Sequence, residues 1–402
     1  MTGALDDITV LELANWVAAP SASALMADMG AAVIKVEPLG GDGMRNKLRQ
    51  PVTPGDAVHD VPFQLDNRGK QSIAVDLADE RGAALVRRMA AQADVVVTNL
   101  LPGRLDRYGL GPDRLRAADP RLIYALVTGY GSEGDEADRV AFDLTAFFGR
   151  AGIMSLIGEP GAPPPAFRPG QGDHPTGLAL LVGILAALRD RDRTGEGQVV
   201  ETALLRTGAW TIGLDVQVAL VDRVQPNKRS RGDAFSPINT QYQCGDGTWI
   251  NLSAQDQGRW SRFCEVIGRD DLGTDDRFAT PVGRFEHRAE LIGALEALFA
   301  TQPAAHWGPI LDRTGMIWSR VAELPDLVDD PQARAIGMYT TVEHPGLGSF
   351  ETLSAPFTMS RSDVSVRGRA PELGEHTDAV LRRFGLADAD VASLREAGIV
   401  AG

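Results

Sequence analysis

Cysteine is nearly absent from this chain, which has two, Cys244 and Cys264, in 402 residues. Two isolated cysteines supply neither a disulfide framework nor the spacing of a zinc site, and the six histidines contain no HxxxH pair. We therefore predict no metal site. The N-terminal MTGALDDITV has no basic segment followed by an apolar one, so no signal peptide is predicted and a cytoplasmic location is expected.

Positive charge is also in deficit, with 40 Lys and Arg against 54 Asp and Glu and a formal net charge of -14. Such a surface argues against a nucleic-acid or anionic-membrane partner, because phosphate binding needs basic side chains. The longest apolar run, 178–188, is too short to cross a bilayer. A chain of 402 residues with 44% apolar and 23% charged residues is typical of a globular protein with two domains.

The usual phosphate-binding and hydrolase motifs are missing. There is no GxxxxGK[ST], and NWVAAP follows the first predicted strand where a dinucleotide-binding protein has GxGxxG. An NAD-dependent oxidoreductase is therefore disfavoured, and no prosthetic group is predicted. No GxSxG elbow is present either, which argues against serine hydrolysis.

Apolar segments alternate with helical ones in the first part of the chain. Residues 8–13, 31–37, 93–99 and 121–131 are predicted strands, each followed by a polar or Gly-rich turn. This alternation predicts an α/β fold with a parallel sheet covered on both faces. Because ligands of such folds bind at the carboxyl ends of strands, the turns at Asn15, Asn99 and Gly129 are the predicted site.

The composition changes after residue 222. Residues 222–240 have no periodic apolar pattern and are predicted to be a linker or binding loop. TQYQCGDGTWINLS predicts an antiparallel hairpin around Gly-Asp-Gly, and helices are predicted near 256–268, 286–300 and 304–314. We therefore predict a second, smaller α+β domain over 225–330.

Asp173 stands between Gly172 and a His-Pro pair, directly ahead of an apolar helical pattern. An aspartate there is commonly an N-cap, and the pattern alone favours that interpretation. The same place at a helix N-terminus would keep a carboxylate ionised, and an ionised carboxylate can attack an activated acyl carbon without a general base. His174 is expected to point away from Asp173. The helical stripe predicted to pack inward consists of Leu178, Leu181, Val182, Ile184, Leu185 and Leu188.

Cations that follow strand ends are candidate anion ligands, although each alone is more often a solvated surface charge. They are Arg45, Lys47, Arg49, Lys70, Arg104 and Arg107. For Trp16 a stacking platform and simple packing remain equally open.

Several segments together resemble the class III CoA-transferases, which include formyl-CoA transferase and carnitine CoA-transferase and share their fold with α-methylacyl-CoA racemase. The segments are VLELANWVAAPSASALMADMGAAVIKVEPLGGD, NRGKQSIAVDL, DVVVTNLLPGRLDRYGL, GDHPTGLALLVGILAALRDRDRTGEGQ and LSAPFTMS…APELGEHTDAVL. The resemblance spans nearly the whole chain. It implies a large Rossmann-like, CoA-binding domain from residues 1–222 and 335–402, with 225–330 as the small domain, and an interlocked homodimer.

The resemblance also implies the chemistry. Asp173 occupies the position of the transferase nucleophile, which accepts the acyl group of an acyl-CoA as an anhydride and then carries CoA as a thioester to a free carboxylic acid. Acyl-CoA and carboxylic acid would thus be substrates. By matching positions, the residues lining the CoA site would be Val17, Val75, Asn99, Leu100 and Arg107, and Arg139 falls where formyl-CoA transferase has a lysine. We add Trp16 and Arg45 as candidate cofactor contacts.

The chain departs from formyl-CoA transferase in several places. No tetraglycine run occurs in 225–260, so SAQDQG (253–258) is the candidate shield for the anhydride. Pro38 replaces a cofactor-binding arginine, and Ala141 and Phe142 replace an active-site tyrosine and glutamate, which favours a larger, less polar acyl group than oxalate. Phe142 also replaces the histidine of the racemase motif G-H-D, so transfer is favoured over racemisation. A non-catalytic acyl-CoA binder is the remaining alternative.

Overall fold

The fold is that of a computed structural model, which describes residues 2–45, 61–253 and 259–402. Lys47, Arg49 and, apart from Ser253, the predicted shield 253–258 lie outside these residues. The chain separates into two compact units. The first contains Met1–Ser155, Ala166–Val224 and Gln332–Gly402, and the second contains Leu156–Pro165 and Gln225–Pro331.

The described part of the chain folds into alternating strands and helices. The strands are β1 (Thr9–Leu13), β2 (Ala32–Glu37), β3 (Gln71–Val75), β4 (Val95–Thr98), β5 (Ile123–Thr128), β6 (Val199–Ala203), β7 (Asn239–Gln243), β8 (Trp249–Ser253), β9 (Trp318–Arg320), β10 (Tyr339–His344), β11 (Gly348–Leu353) and β12 (Val400–Ala401). The helices are α1 (Ala18–Asp28), α2 (Val61–Asn67), α3 (Glu80–Ala90), α4 (Pro102–Tyr108), α5 (Pro112–Ala118), α6 (Ile153–Leu156), α7 (Asp173–Thr194), α8 (Leu204–Thr211), α9 (Gly213–Asp222), α10 (Trp260–Val266), α11 (Asp270–Thr274), α12 (Pro281–Glu286), α13 (Arg288–Phe299), α14 (Ala304–Thr314), α15 (Leu324–Val328), α16 (Pro331–Ala335), α17 (Thr377–Arg383) and α18 (Asp388–Glu396). A π-helical segment, Leu144–Arg150, precedes α6.

One large sheet organises the first unit, with strand order β12-β3-β2-β1-β4-β5-β6. Its strands are parallel except β12, which runs antiparallel to β3. At the centre of the sheet, Val10 of β1 is in register with Val33 of β2 and with Val95 of β4. The order 3-2-1-4-5-6 is that of the doubly wound Rossmann fold. The predicted parallel sheet is therefore confirmed, with β12 added at one edge from the end of the chain.

The alternation of side chains along the strands produces two apolar layers. On one face Val10 and Val33 pack with helices α1 and α7. On the other face Leu11 and Leu13 pack with α3, α5 and α17. The central sheet is thus covered on both sides, which leaves the carboxyl ends of its strands as the place for a ligand.

Helix α7 buries part of the predicted stripe, since Leu181, Ile184 and Leu188 are buried and Leu185 packs against them. Leu180, Leu181 and Ile184 are buried against the α1 side of the sheet. The prediction that Leu178 and Val182 pack inward is wrong, because 37% and 67% of their surfaces are exposed. A helix that is apolar all round does not reveal from its spacing alone which apolar residues face the core.

The second unit contains a three-stranded antiparallel sheet, β7-β8-β9. Strands β7 and β8 form the predicted hairpin, in which Thr240 pairs with Leu252. The core of this unit includes the aromatic residues Tyr242, Phe263 and Phe299. Of the described helices in either unit, none combines the length and the apolar composition needed to cross a membrane.

Candidate functional site

The site begins where two adjacent parallel strands end. Asn15 follows β1 and Asn99 follows β4. These two strands are neighbours in the sheet, and the direction in which the strand order runs along the sheet reverses between them. The Asn99 side chain joins the two turns, because its Nδ2 donates to the Asn15 carbonyl at 2.6 Å and its Oδ1 accepts from the Asn15 backbone N–H at 3.1 Å. This amide holds the crevice in which doubly wound proteins bind their ligands.

A cavity of about 260 Å³ opens at these turns and contains the predicted nucleophile. Its lining residues are Asn15, Trp16, Ala18, Asn99, Leu100, Leu101, Arg104, Val127, Thr128, Gly129, Arg139, Val140, Ala141, Phe142, Asp173 and Leu204. The predicted turns at Asn15, Asn99 and Gly129 therefore meet at one site, together with Asp173.

Asp173 is the first residue of α7, and no side chain caps that helix. The N-cap interpretation is thus wrong, since the cap position belongs to Gly172. The chain ahead of the helix is instead held by Asp143, whose Oδ2 accepts from the N–H groups of Gly170 at 2.8 Å and Gly172 at 3.1 Å. The other oxygen of Asp143 accepts from the Leu144 N–H at 2.8 Å. Because a second carboxylate fixes the loop, that of Asp173 remains available for chemistry.

Burial raises the pKa of Asp173 to about 7, with a further contribution from the negative charge of Asp143. The expectation that the helix N-terminus keeps this carboxylate ionised did not allow for this burial, which favours the neutral acid. His174 acts in the opposite direction and lowers the pKa of Asp173. A hydrogen bond between His174 Nε2 and Asp66 Oδ1, at 3.0 Å, raises the pKa of the imidazole.

His174 and Asp173 open onto different cavities. The imidazole lines a second, mainly apolar cavity of about 340 Å³ with Asp66 and Leu178. The expectation that these neighbours point apart is confirmed. His174 is consequently placed to act on Asp173 through its charge and not through a shared substrate.

A buried group of charges lies beneath the turn that carries Asn15 and Trp16. The Lys35 Nζ lies 2.7 Å from both Glu12 and Asp42, and it donates to the Ala14 carbonyl at 2.8 Å. The Lys70 Nζ lies 2.6 Å from the other oxygen of Glu12. Lys70 was a candidate anion ligand, but its ammonium is fully buried and paired within the protein.

Four of the predicted cofactor contacts, Trp16, Asn99, Leu100 and Arg139, line the cavity of Asp173. Val75 lines an adjacent cavity of about 140 Å³, which shares Asn15, Leu100 and Arg104 with the first. The two cavities thus form one crevice along the ends of β1, β3 and β4.

The other predicted contacts lie elsewhere. Val17 is buried against Met44 and Phe63. The Arg45 guanidinium donates to Glu37 at 2.7 and 2.8 Å and to the Pro371 carbonyl at 2.8 Å. Arg107, on α4, is exposed and lines neither cavity of the crevice.

Two acidic residues of the site were missed at the sequence level. Asp143 lies in VAFDL, where an aspartate directly before a helical segment was a signal for a cap. Asp66, 4% exposed, lies in a segment without a motif and is found only from the fold. In the part of the chain that the structure describes, no group of three or more His, Cys, Asp or Glu side chains could hold a metal ion.

Comparison with known proteins gives concordant results. Residues 5–377 match the sequence model of CoA-transferase family III. The (R)-2-hydroxy-4-methylpentanoate CoA-transferase of Clostridioides difficile is 29% identical over 98% of this chain and 99% of its own length. The formyl-CoA:oxalate CoA-transferase of Streptomyces avermitilis is 32% identical over 100% of both chains. The crystal structure of a CAIB/BAIF family protein from Brucella suis superposes with a TM-score of 0.85 at 31% identity, over 96% of this chain and 100% of that one.

Proposed function

The chain belongs to CoA-transferase family III, and from this premise we propose that Asp173 relays acyl groups and CoA between a thioester and a free carboxylic acid. The observation that carries the proposal is the position of the Asp173 carboxylate. It lies at the start of α7, a helix that no side chain caps, and lines a crevice at the ends of the strands. A family III enzyme moves CoA from an acyl-CoA to a carboxylate, and this chain has that activity. The assignment of its steps to residues is what we propose.

The reaction starts from ionised Asp173. Its carboxylate attacks the thioester carbonyl of the donor, the carbon–sulfur bond breaks, and a mixed anhydride and the CoA thiolate form. The thiolate then attacks the aspartyl carbonyl, which releases the donor acid and leaves CoA bound to Asp173 as a thioester. An acceptor carboxylate attacks this thioester, and the same steps in reverse yield the new acyl-CoA and free Asp173.

CoA would lie along the crevice, with its thiol end at Asp173 and its pantetheine passing Asn99 and Leu100 toward Val75. The shared lining of the two cavities supports this path. Arg104 borders both cavities and, with Arg139, brings positive charge to a chain of net charge -14. Arg104, which lines both cavities along the proposed path of CoA, suits the phosphates of an anionic cofactor.

We propose that the functional molecule is an interlocked homodimer, as the resemblance to class III CoA-transferases implies. Helix α9 has no buried residue, and its Leu214 and Val221 are 88% and 72% exposed. Trp210 of α8 is 85% exposed. Together with Val182 of α7 and Leu220 of α9, it lines a mainly apolar groove. An apolar surface of this extent is typical of a subunit interface. Because CoA thioesters are intracellular metabolites and both cysteines are unpaired, a cytoplasmic location is part of the proposal.

Transfer is favoured over racemisation by the cavity lining. A racemase needs an acid and a base on opposite sides of the α-carbon, and the described residues that line this cavity include no histidine. Phe142 lines this cavity, and by the sequence resemblance it occupies the position of the racemase histidine. A chirally pure 2-methylacyl-CoA incubated in deuterated water should therefore keep its α-proton, and rapid α-deuteration would contradict the proposal.

The decisive test is Asp173→Ala. We expect CoA transfer between a labelled free acid and its own thioester to fall by roughly a thousand-fold or more, while CoA binding persists. Hydroxylamine added during turnover of the unmodified enzyme should convert Asp173 to a hydroxamate that mass spectrometry locates. Asp190→Ala, which removes an exposed carboxylate on the same helix, is the matched control. Undiminished transfer in the Asp173 variant would show that the carboxylate is not the relay.

A further inference from the structure

The backbone of Trp16 adopts a conformation that aromatic residues rarely take. Its φ is 69°, and among described non-glycine residues only Arg223 shares a positive value. A bulky side chain in this region persists only where the surrounding structure determines it. The position of the indole is therefore held by its neighbours and is not a relaxed local preference.

The restraints come from three consecutive residues. The Ala14 carbonyl accepts from Lys35 at 2.8 Å, the Asn15 N–H donates to Asn99, and the Trp16 N–H donates to Asp42 Oδ1 at 3.0 Å. Asp42 is 2% exposed and pairs with the buried ammonium of Lys35. The buried charges described above thus fix the turn that presents Trp16.

The neighbouring backbone is shaped to the indole. A Cβ at Gly43 would lie 2.8 Å from the Trp16 ring, so glycine allows the ring to lie against that turn. The indole also meets Phe142 edge to face, with centroids 5.2 Å apart and planes at 90°. This geometry is a favourable one for two aromatic rings.

Both rings line the cavity of Asp173, and the small apolar residues Ala18 and Ala141 lie beside them. A second carboxylate on an acyl group would lose water against this wall, whose residues Trp16, Phe142, Ala18 and Ala141 carry no charge. Arg104 also lines this cavity, but it is shared with the adjacent cavity of Val75. The cation nearest in sequence to the wall, Arg139, already forms an ion pair with Glu136. A hydrocarbon acyl group would instead gain contact with the rings.

Building on the proposed function, we propose that the Trp16–Phe142 pair is the acyl-selectivity element of the enzyme and that it selects branched or aromatic hydrocarbon acyl groups over dicarboxylic ones. The rings wall the acyl side of the Asp173 cavity, and the strained turn keeps them there before substrate arrives. Selectivity then arises from a preformed surface and not from closure around the substrate.

The test uses exchange of an isotopically labelled acid into its own CoA thioester, which needs no knowledge of the natural acceptor. For the purified full-length enzyme we expect kcat/KM for 4-methylpentanoate and 3-phenylpropanoate to exceed that for succinate by at least about ten-fold. Trp16→Gly removes the ring but tolerates the backbone conformation, and Phe142→Ala removes the exposed partner. In both variants we expect this ratio to fall by about ten-fold or more, because kcat/KM falls for the hydrocarbon substrates.

Phe235→Ala, which removes a 67% exposed ring of the second unit, should leave the ratio unchanged. An unaltered ratio in both Trp16→Gly and Phe142→Ala, or a preference of the unmodified enzyme for succinate, would overturn the selectivity assignment. Failure of the proposed function would give a different result. In that case the enzyme would exchange none of the acyl groups, or exchange would persist in the Asp173→Ala variant.

Discussion

Asp173 needs its negative charge to attack a thioester, yet its surroundings disfavour that charge. Burial and the neighbouring Asp143 raise its pKa to about 7, while the His174 imidazole lowers it. A carboxylate that is poorly solvated is also a more reactive nucleophile once it is ionised, because less water must be displaced from it. The site thus holds Asp173 between the two protonation states near neutral pH.

This balance predicts the pH dependence of transfer. The protonated acid cannot attack, and the pKa of Asp173 is raised, so kcat/KM should increase with pH through about 7 and level off above it. The measurement is the acid-exchange rate between about pH 5.5 and 8.5, with the stability of the enzyme checked at each value. A flat profile over that interval would show that Asp173 is ionised throughout.

His174→Gln should move this profile to higher pH. The imidazole is held by Asp66 and its pKa is raised, so it is the positive charge that offsets Asp143 at Asp173. Because 46% of its side chain is exposed, replacing it should leave the fold intact. His306→Gln in the second unit is the matched control. A variant whose activity changes equally at all pH values would assign His174 a packing role only.

At the scale of elements, the position of Asp173 depends on how closely α7 approaches α1. A Cβ at Gly177, one turn into α7, would lie 2.1 Å from the Ser21 hydroxyl and 2.5 Å from the Ala18 carbonyl. Gly177→Ala should therefore separate the helices, lower the free energy of unfolding by about 1–3 kcal/mol, and reduce transfer because Asp173 moves with its helix. Denaturant titration and the exchange assay measure the two effects.

The control for this substitution is Gly293→Ala in α13, where an added Cβ meets nothing within 4 Å. There alanine should stabilise the helix by up to about 1 kcal/mol, because it loses less conformational entropy than glycine. Equal responses of the two sites would mean that the α1–α7 contact adapts to the extra methyl group.

The elements differ in how far the sequence predicted them. Strands β1, β2, β4 and β5 are mainly apolar segments before polar turns, and their positions and the site at their ends were predicted from the sequence. The buried charges were not predicted, because Glu12 and Lys35 occupy strand positions whose partners come from other strands and turns. Asp173 was interpreted as a helix cap for a similar reason. The loop ahead of it is held by Asp143, which lies 30 positions earlier in the sequence, and only the tertiary structure brings the two together.

At the scale of the whole molecule, the large sheet takes strands from both ends of the chain. Val400 of β12 pairs with Val75 of β3. The first unit consists of three segments of the chain, and the two segments between them form the second unit. Local patterns indicated the composition change near residue 222, but they could not show that residues 156–165 belong with the second unit. That grouping depends on contacts between distant residues.

The apolar surface of α8 and α9 gives the last prediction. If Leu214 is buried in the dimer, Leu214→Glu places a charge in an apolar interface, and we expect either a monomer or loss of folded protein, because interlocked subunits depend on each other for stability. Sedimentation velocity and circular dichroism at several protein concentrations distinguish these outcomes. Val282→Glu, at a 66% exposed site of the second unit, should remain a dimer. A Leu214→Glu protein that is dimeric and as stable as the unmodified enzyme would show that α9 faces solvent in the assembly.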